Sequence, residues 1–280
     1  MDERSFIRYL ASKKTVDDRA LNLRVWQSMT AVLRGRRPAV LELGAGIGTM
    51  VERAASETAG LCPSSWTLLD SQPGLLAEAR RRLDGRVPFE TRFVEADVQQ
   101  FISGTGDRFG LVVAHAFIDL FDLSRVVPGV VRLAEPGGIL LFTICFDGLS
   151  AWEPEVDRDL DARIIELYHR TMDERVTAGA ASGDSRSGRH LLTLLPRLGC
   201  RVAAAGASDW VVYPRGGAYP ADEQFFLSCI LGFFQESLSV RPELERADLD
   251  RWLAIRRSQL EAGELVFVAH QLDVLAAREQ

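Results

Sequence analysis

Short apolar runs alternate with amphipathic stretches between residues 38 and 147. The runs are nearly continuous in apolar character, which is typical of strands buried on both faces of a parallel sheet. Between them, apolar residues recur at helical spacing. This alternation predicts an α/β fold with a parallel sheet and helices on both faces. The predicted strands are 39–43, 65–70, 93–97, 109–115 and 139–145. The predicted helices between them are 49–59, 73–83 and 123–133, and we expect Pro128 to kink the last of these. A short turn is predicted at 98–102.

The remaining stretches flank or interrupt this alternation. Residues 1–36 precede it, and the stretches 147–187 and 216–262 interrupt it. We expect Gly263 to end the last helix of the second interruption. The predicted elements outside the alternating region are helices 6–13 and 17–33 with a polar string at 13–19 between them, helix 155–171, a polar loop at 177–189, helix 190–198, strands 201–205 and 209–213, helices 222–238 and 249–262, and strand 265–269.

The helical pattern at 222–238 carries two phenylalanine pairs, Phe225–Phe226 and Phe233–Phe234. Two pairs exceed what a single core-facing stripe requires. They either line a hydrophobic pocket or a dimer contact, or the helix is buried on two sides within a helical cap. The sequence leaves both interpretations open.

A glycine-rich turn follows the first predicted strand, with Gly44, Gly46 and Gly48 at alternate positions and Glu42 two residues before them. Glycine suits a turn where backbone passes close to a ligand and takes angles that a Cβ forbids. Dinucleotide-binding turns read G-x-G-x-x-G, so the third glycine here comes one residue early. Acids end the second and third runs, at Asp70 and Asp97. Right-handed crossovers bring the ends of these strands to one edge of the sheet, where ligands bind.

This combination resembles the class I S-adenosylmethionine (SAM)-dependent methyltransferases over about residues 37–146. The resemblance implies a Rossmann-like, doubly wound sheet of seven mostly parallel strands, with SAM as cofactor and S-adenosylhomocysteine as product. It implies that the glycines approach the methionine and ribose parts, that Glu42 holds the amino-acid end, that Asp70 accepts from the ribose hydroxyls and that Asp97 and Val98 bind the adenine. His115 would lie near the transferable methyl. The implied cofactor-binding set is Glu42, Gly44, Ala45, Gly46, Gly48, Asp70, Ser71, Asp97, Val98 and His115.

The resemblance also gives the flanking segments a role. Residues 1–36 would form a helical lid on a core spanning 37–280, and the two insertions would decide which acceptor binds. The alternative for the first segment is a solvated cap, with Thr15 or Asp17 as N-cap. The lid would offer these polar side chains: Tyr9, Lys13, Lys14, Arg19 and Asn22.

Composition and net charge disfavour some classes of binding partner. The chain has 280 residues, 47% hydrophobic and 26% charged, with a net charge of −6. This acidic balance disfavours a broad nucleic-acid-binding face, which needs basic residues. The four cysteines form no C-x-x-C pair, the first residues lack an apolar signal core, and no apolar run approaches a membrane span. We therefore expect a cytoplasmic protein with no nucleic-acid partner, no membrane span and reduced thiols.

Three residues are candidates for acid–base chemistry: His115, Asp119 and His190. The string 183–190 combines arginines, serines and glycines before a helix, an arrangement that attracts anions, although it also fits a polar loop capped by Ser187. The histidines are dispersed, so we expect no metal site. The residues proposed to bind the acceptor are Tyr9, Arg19, Arg186, Arg189 and Trp210.

The expected activity is methyl transfer from SAM to an oxygen or carbon of a small molecule, in specialised metabolism. Relatives of this fold that methylate amino groups of nucleobases or glutamine carry an Asn/Asp-Pro-Pro-aromatic turn where this chain has residues 115–120, HAFIDL. The favoured acceptor is lipophilic with an anionic group. The sequence leaves open whether the protein forms a homodimer. The alternatives are a SAM-binding enzyme that catalyses a cyclisation or rearrangement, and a nucleotide-binding regulatory or NAD-linked protein.

Overall fold

The computed structural model describes residues 1–56, 60–177 and 179–279. Residues 57–59, at the end of the predicted helix 49–59, and Ala178 of the predicted loop lie outside this part. The helices are α1 (Glu3–Ala20), α2 (Leu23–Val32), α3 (Thr49–Ala54), α4 (Pro73–Leu83), α5 (Val98–Gly104), α6 (Leu123–Leu133), α7 (Arg158–Asp173), α8 (Ser187–Arg197), α9 (Glu223–Leu238) and α10 (Arg246–Glu261), with a 3-10 turn at Ile118–Leu120. The strands are β1 (Ala39–Leu43), β2 (Ser65–Asp70), β3 (Glu90–Glu95), β4 (Phe109–His115), β5 (Ala134–Glu153), β6 (Val176–Thr177), β7 (Ala180–Ala181), β8 (Cys200–Ala207), β9 (Trp210–Val212) and β10 (Val266–Arg278).

The main sheet has the order β3-β2-β1-β4-β5-β10-β8, and β9 pairs with β10 outside this path. Strands β1 to β5 pair in parallel, whereas β10 runs antiparallel to β5, β8 and β9. The predicted Rossmann-like, mostly parallel sheet is therefore confirmed. The chain winds outward in opposite directions from β1 and β4, so their carboxyl ends mark the switch point at which such sheets bind ligands.

Three hydrophobic clusters surround the sheet. Alternate residues of β1 face opposite sides, so that Leu41 joins a cluster with α6 and α8 while Val40 joins one with α2, α3 and α4. The third cluster packs α1, α7, α9 and α10 into a helical cap. Phe226 and Phe234 are fully buried within this cap, and Phe225 packs under the guanidinium of Arg8. These contacts favour the interpretation of α9 as a helix buried in the cap.

The predicted break between the first two helices was wrong. The polar string 13–19 lies inside α1, and the break falls at Asn22, whose side chain caps α2. Lys13–Asp17 and Lys14–Asp18 ion pairs, each four residues apart, stabilise the helix across the string. The polar residues therefore continue the helix instead of linking two helices.

The strands around the first insertion are longer than predicted. Strand β5 continues to Glu153, and β10 runs from Val266 to Arg278 as its antiparallel partner. Polar residues hid this extension, because Gln271 and Asp273 interrupt the apolar pattern of β10 but are buried. Within the predicted loop 177–189, β6 and β7 form a small hairpin and α8 begins at Ser187. Gly263 follows α10 with φ +68°, as expected of a helix end.

Candidate active site

The carboxyl ends of β1, β2 and β4 and the segment after β3 open onto one cleft of about 410 Å³. Residues of α1 and of the segment between α7 and β6 complete its walls. Several of its lining side chains are apolar, namely Phe6, Leu10, Phe117, Leu120 and Phe121. The cleft therefore lies at the switch point and combines apolar walls with polar strand ends.

The glycine turn between β1 and α3 forms one wall of this cleft. Gly44, Gly46 and Gly48 have φ values of +63°, +54° and +80°, a region that favours glycine. A Cβ on Gly44 would lie 2.1 Å from the ring of Phe117. The turn is fixed by the Ala45 N–H, which donates to the Leu69 carbonyl at 3.0 Å. The turn thus presents backbone, without side chains, to the cleft.

Asp70 ends β2 within the same cleft and is 8% exposed. One carboxylate oxygen accepts from the Gly46 N–H at 2.9 Å, and the other accepts from the Gln72 N–H at 3.0 Å. Each oxygen has acceptor capacity for one further donor. The carboxylate therefore fixes the turn and still has two positions for a vicinal diol such as that of a ribose.

Asp97, Val98 and Ser71 also line the cleft. One oxygen of Asp97 caps α5 by accepting from the N–H groups of Gln99 and Gln100. Its other oxygen has no hydrogen bond within the described ranges. Asp97 can thus accept from an exocyclic amine, while the buried Val98 offers an apolar surface and its backbone to an adenine ring.

Glu42 lies inside the sheet beside this wall. Its carboxyl accepts the indole N–H of Trp66 at 2.9 Å, and it is 2% exposed. Burial raises its pKa to about 8, although the Trp66 hydrogen bond opposes the shift. Glu42 is therefore mainly protonated at neutral pH and supports β1 against β2; its predicted contact with the amino-acid end of the cofactor stays a prediction.

His115 ends β4 within a buried network beneath α1. Its Nε2 lies 3.0 Å from a carboxylate oxygen of Asp17 and 3.2 Å from Arg53, and its Nδ1 lies 2.8 Å from the Thr143 hydroxyl. A neutral imidazole satisfies Asp17 and Thr143 when Nε2–H donates to Asp17 and Nδ1 accepts from Thr143; Arg53, which has only donors, then makes no hydrogen bond to Nε2 and pairs with Asp17 and Asp18. Burial and the charge of Arg53 lower the pKa of His115 to about 4, against the raising effect of Asp17.

Asp17 is the centre of that network and is 1% exposed. Lys13 donates to its carboxylate at 2.8 Å, and the indole N–H of Trp210 also donates to it, at 2.9 Å. Burial raises its pKa, but the charge of Lys13, the His115 hydrogen bond and the charge of Arg53 lower the pKa well below its ordinary value. The network holds both nitrogens of His115, so it favours a positioning role for this residue over proton transfer.

Asp119 and His190, the other acid–base candidates, lie in different surroundings. Asp119 is in the 3-10 turn after β4, and its Oδ1 is buried with no hydrogen-bond partner. Burial raises its pKa to about 6. His190 is exposed on α8, where its Nδ1 lies 2.7 Å from Asp184. Asp119 therefore combines an available oxygen with a pKa close to neutrality.

The residues predicted to bind the acceptor do not gather in the cleft. Arg19 forms a bidentate pair with Glu223 of α9, and Arg189 pairs with Asp147 of β5. Trp210 donates to Asp17, and Tyr9 is buried in the cap between Phe226 and Phe233. Arg186 is exposed beside Gly148. Of the lid residues, Lys13 pairs with Asp17 within α1, and Asn22 fastens the start of α2 to the sheet by donating to the Ala207 carbonyl.

The sequence interpretation missed two arginines. Arg53, 8% exposed at its side chain, joins α3 to Asp17 and Asp18 of α1. Arg175 lines the cleft from the segment after α7. Neither belongs to a recognisable motif, and their partners or neighbours lie far away in sequence. Only a three-dimensional structure could associate them with the site.

These residues fit an adenosyl group. The turn presents the backbone of Gly44 and Gly46 to the cleft, Asp70 has unused acceptor positions for a diol, and Asp97 has an unused oxygen for an amine. Nucleotide-binding α/β proteins use the same donor and acceptor types at this edge of the sheet.

Comparisons with known proteins concern the domain and the fold. Residues 40–138 match the family model described as a methyltransferase domain. A stretch of 128 residues, 45% of this chain, is 27% identical to the biotin biosynthesis bifunctional protein BioCD of Bordetella avium. The match covers 26% of that bifunctional protein, so the chain spans about a quarter of its length.

Solved structures share the fold over nearly the whole chain. A candidate methyltransferase from Bacillus halodurans superposes with a TM-score of 0.56 at 14% identity, covering 92% of this chain and 100% of its own. A SAM-dependent methyltransferase from Thiobacillus denitrificans, crystallised with S-adenosylhomocysteine, gives 0.52 at 16% identity and covers 99% of both chains. At these identities the likeness concerns the fold. The match to the methyltransferase domain model and the shared fold thus support the resemblance to the class I SAM-dependent methyltransferases.

Proposed function

We propose that this protein transfers the methyl group of SAM to an oxygen or carbon atom of a small-molecule acceptor, in specialised metabolism. The observation that carries the proposal is the cleft at the switch point, where the glycine turn, Asp70 and Asp97 meet. The turn presents backbone without side chains to the cleft, and the two carboxylates match the hydrogen-bond donors of an adenosine.

SAM supplies an electrophilic methyl group on a sulfonium, which an acceptor atom attacks in line with the carbon–sulfur bond. The protein then has to orient the two reactants and exclude water. In our proposal Asp70 and Asp97 fix the adenosine, while Phe6, Leu10 and Phe117 provide apolar walls. Phe117 packs against Gly44, where a side chain on the turn would displace it.

A hydroxyl acceptor also has to lose a proton, and we assign its removal to Asp119. Its unpartnered oxygen and a pKa of about 6 suit a general base near neutrality. The nitrogens of His115 are bound to Asp17 and Thr143, and His190 is exposed on α8 beside Asp184, whereas Asp119 lies between the cleft-lining residues Phe117 and Leu120. A pH–rate profile that keeps its acid limb near pH 6 in Asp119→Asn protein would assign the base elsewhere.

The size of the cleft supports a small-molecule acceptor, since about 410 Å³ has to admit the cofactor and the reacting group. None of the helices in the described ranges is long and apolar enough to cross a membrane. The free thiols of Cys62, Cys145, Cys200 and Cys229 are consistent with a location in the cytoplasm, which we include in the proposal. A homodimer stays a prediction.

The test combines calorimetric titration with product analysis. We expect wild-type protein to bind SAM and Asp70→Ala protein to bind it at least about tenfold more weakly, because two hydrogen bonds to a charged acceptor are lost. Asp84→Ala is the matched control, since Asp84 is an exposed carboxylate beyond the end of α4. Products from incubation with metabolite extracts should gain one methyl group in step with S-adenosylhomocysteine. Equal SAM affinity in the wild type and Asp70→Ala would remove the proposed site, and products without the methyl increment would indicate a different reaction.

A further inference from the structure

Arg175 is a cation on the wall of the cofactor cleft, and its side chain has no hydrogen bond or ion pair within the described ranges. The residue is half-buried. A guanidinium carries five donors and cannot lose its charge, so partial burial without a partner carries a desolvation cost. An anionic group that enters the cleft would offset this cost.

The segment that carries Arg175 is held in place from both sides. The Arg175 N–H donates to the Met172 carbonyl at 3.3 Å, and the Arg175 carbonyl accepts from the Ser182 N–H at 2.8 Å. Nearby, the N–H and hydroxyl of Ser185 both donate to Asp173. The backbone at Arg175 is therefore fixed against the end of α7, which reduces the ordering cost of binding a ligand there.

The arginines that the sequence suggested for anion binding contrast with Arg175. Arg19 is occupied by Glu223, with donor–acceptor distances of 2.5 and 2.8 Å. Arg189 is occupied by Asp147 through contacts of 2.9 and 3.0 Å. A guanidinium already paired with a carboxylate has few donors for a ligand, whereas Arg175 has its full set.

The cleft contains two kinds of lining: carboxylates, and apolar side chains together with one cation. Asp70 and Asp97 are carboxylates suited to hydrogen-bond donors of an adenosine and repel a second anion. The apolar side chains of Phe6, Leu10 and Phe117 line the same cleft as Arg175. The charge of Arg175 also reaches the proposed base, because it lowers the pKa of Asp119 against the larger raising effect of burial.

We infer that Arg175 binds an anionic group, a carboxylate or a phosphate, on an acceptor whose body is apolar. This inference rests on the proposed function and specifies its substrate class. The same guanidinium chemistry could bind the carboxylate of the cofactor's methionine part, so the experiment separates the two sources.

Binding is measured on full-length protein saturated with S-adenosylhomocysteine, with octanoate, octyl phosphate and octan-1-ol as probes. Wild-type protein is expected to bind the two anions at least about tenfold more tightly than the alcohol, because a charge-assisted pair adds to the same apolar contact. Arg175→Gln should abolish this preference, and Arg175→Lys should keep part of it. Arg81→Gln is the matched control, since Arg81 is an exposed arginine that pairs with Glu78 on α4.

The cofactor arm compares S-adenosylhomocysteine with 5′-methylthioadenosine, which lacks the amino-acid part. If Arg175→Gln weakens the first tenfold and leaves the second unchanged, Arg175 binds the cofactor carboxylate and the inference is overturned. Equal binding of anions and alcohol by wild-type protein overturns it as well. Failure of wild-type protein to bind S-adenosylhomocysteine would instead contradict the proposed function, so the two failures are distinguishable.

Discussion

Glu42 carries a proton inside the sheet at neutral pH, which has a consequence for stability. Burial raises its pKa from 4.5 to about 8 in the folded protein. Between these pH values the native state keeps a proton that the unfolded state releases, so the free energy of unfolding falls as pH rises. The lowered pKa of His115 and the raised pKa of Asp119 act mainly below pH 6.5. Glu42 therefore dominates the interval from pH 6.5 to 8.

We expect Glu42→Gln to remove this loss, because the amide oxygen still accepts from Trp66 and cannot ionise. The variant should be more stable than wild type at pH 8 by up to about 4 kcal/mol, with a smaller difference at pH 6.5. Urea unfolding across this interval measures the change, and Glu236→Gln, at an exposed position of α9, serves as control. A wild-type stability that stays flat from pH 6.5 to 8 would show that Glu42 is ionised throughout.

For single residues, roles set by neighbours in the sequence could be predicted, whereas contacts between residues far apart in the sequence could not. Gly44 and Asp70 could be predicted because a tight turn and a strand-end acid act through residues adjacent to them. The position of His115 was also predictable. Its surroundings were not, because Asp17 lies 98 residues away and fixes the imidazole through the fold. Arg175 has no local pattern at all.

Helix α1 shows how an element that looks like a lid is fastened to the core. Arg53 of α3 and His115 of β4 meet Asp17 on its inner face, and Glu223 of α9 holds Arg19. Its residues Phe6 and Leu10 line the cleft. These anchors could not be predicted, because charged residues on a helix are usually solvated. The helix therefore forms part of the cleft wall and is held there by buried charges.

We expect Asp17→Asn to lower the free energy of unfolding by about 3–5 kcal/mol, because Lys13 would stay buried without a charged partner. Denaturant unfolding at pH 7 measures the loss. Asp250→Asn is the control, since Asp250 forms an exposed pair with Arg246 and should cost less than about 0.5 kcal/mol. If Asp17→Asn proves too unstable to purify, Trp210→Phe removes one hydrogen bond to the same carboxylate at about 1 kcal/mol. A loss below 1 kcal/mol in Asp17→Asn would mean that the network contributes little.

For the molecule as a whole, the parallel half of the sheet was predictable; in the antiparallel half the positions of β8 and β9 were predictable, but the lengths of β5 and β10 were not. Strands β1, β2 and β4 read as apolar runs because both of their faces are covered, whereas β3 lies at the sheet edge and consists of exposed and partly buried residues. Strand β10 carries His270, Gln271 and Asp273 in its middle, and Asp273 accepts the N–H groups of Asn22 and Ile144. A buried polar residue satisfied by distant backbone looks like a loop residue in the sequence. The lengths of β5 and β10 therefore could not be predicted from the sequence and are known only from the structure.

Two hydrophobic clusters contribute residues to the cleft and the third contacts the glycine turn that forms its wall, which predicts how ligand binding affects unfolding. Phe6 and Leu10 belong to the cap cluster, Phe117 packs on the second cluster, and Ala45 of the glycine turn lies in the third. A ligand bound among them should stabilise the molecule as one unit. At a SAM concentration of one hundred times its dissociation constant, the gain is about 2.7 kcal/mol, which corresponds to a rise in Tm of about 5–10 °C.

Scanning calorimetry with and without SAM measures this rise, and Asp70→Ala protein is the control because it should show a much smaller one. A single transition that moves as a whole would mean that α1 and the cap unfold together with the sheet. Two transitions, of which only one responds to SAM, would contradict the prediction. They would show that the buried charges around Asp17 do not couple α1 to the cofactor site, and that the cap melts independently of the cleft it helps to enclose.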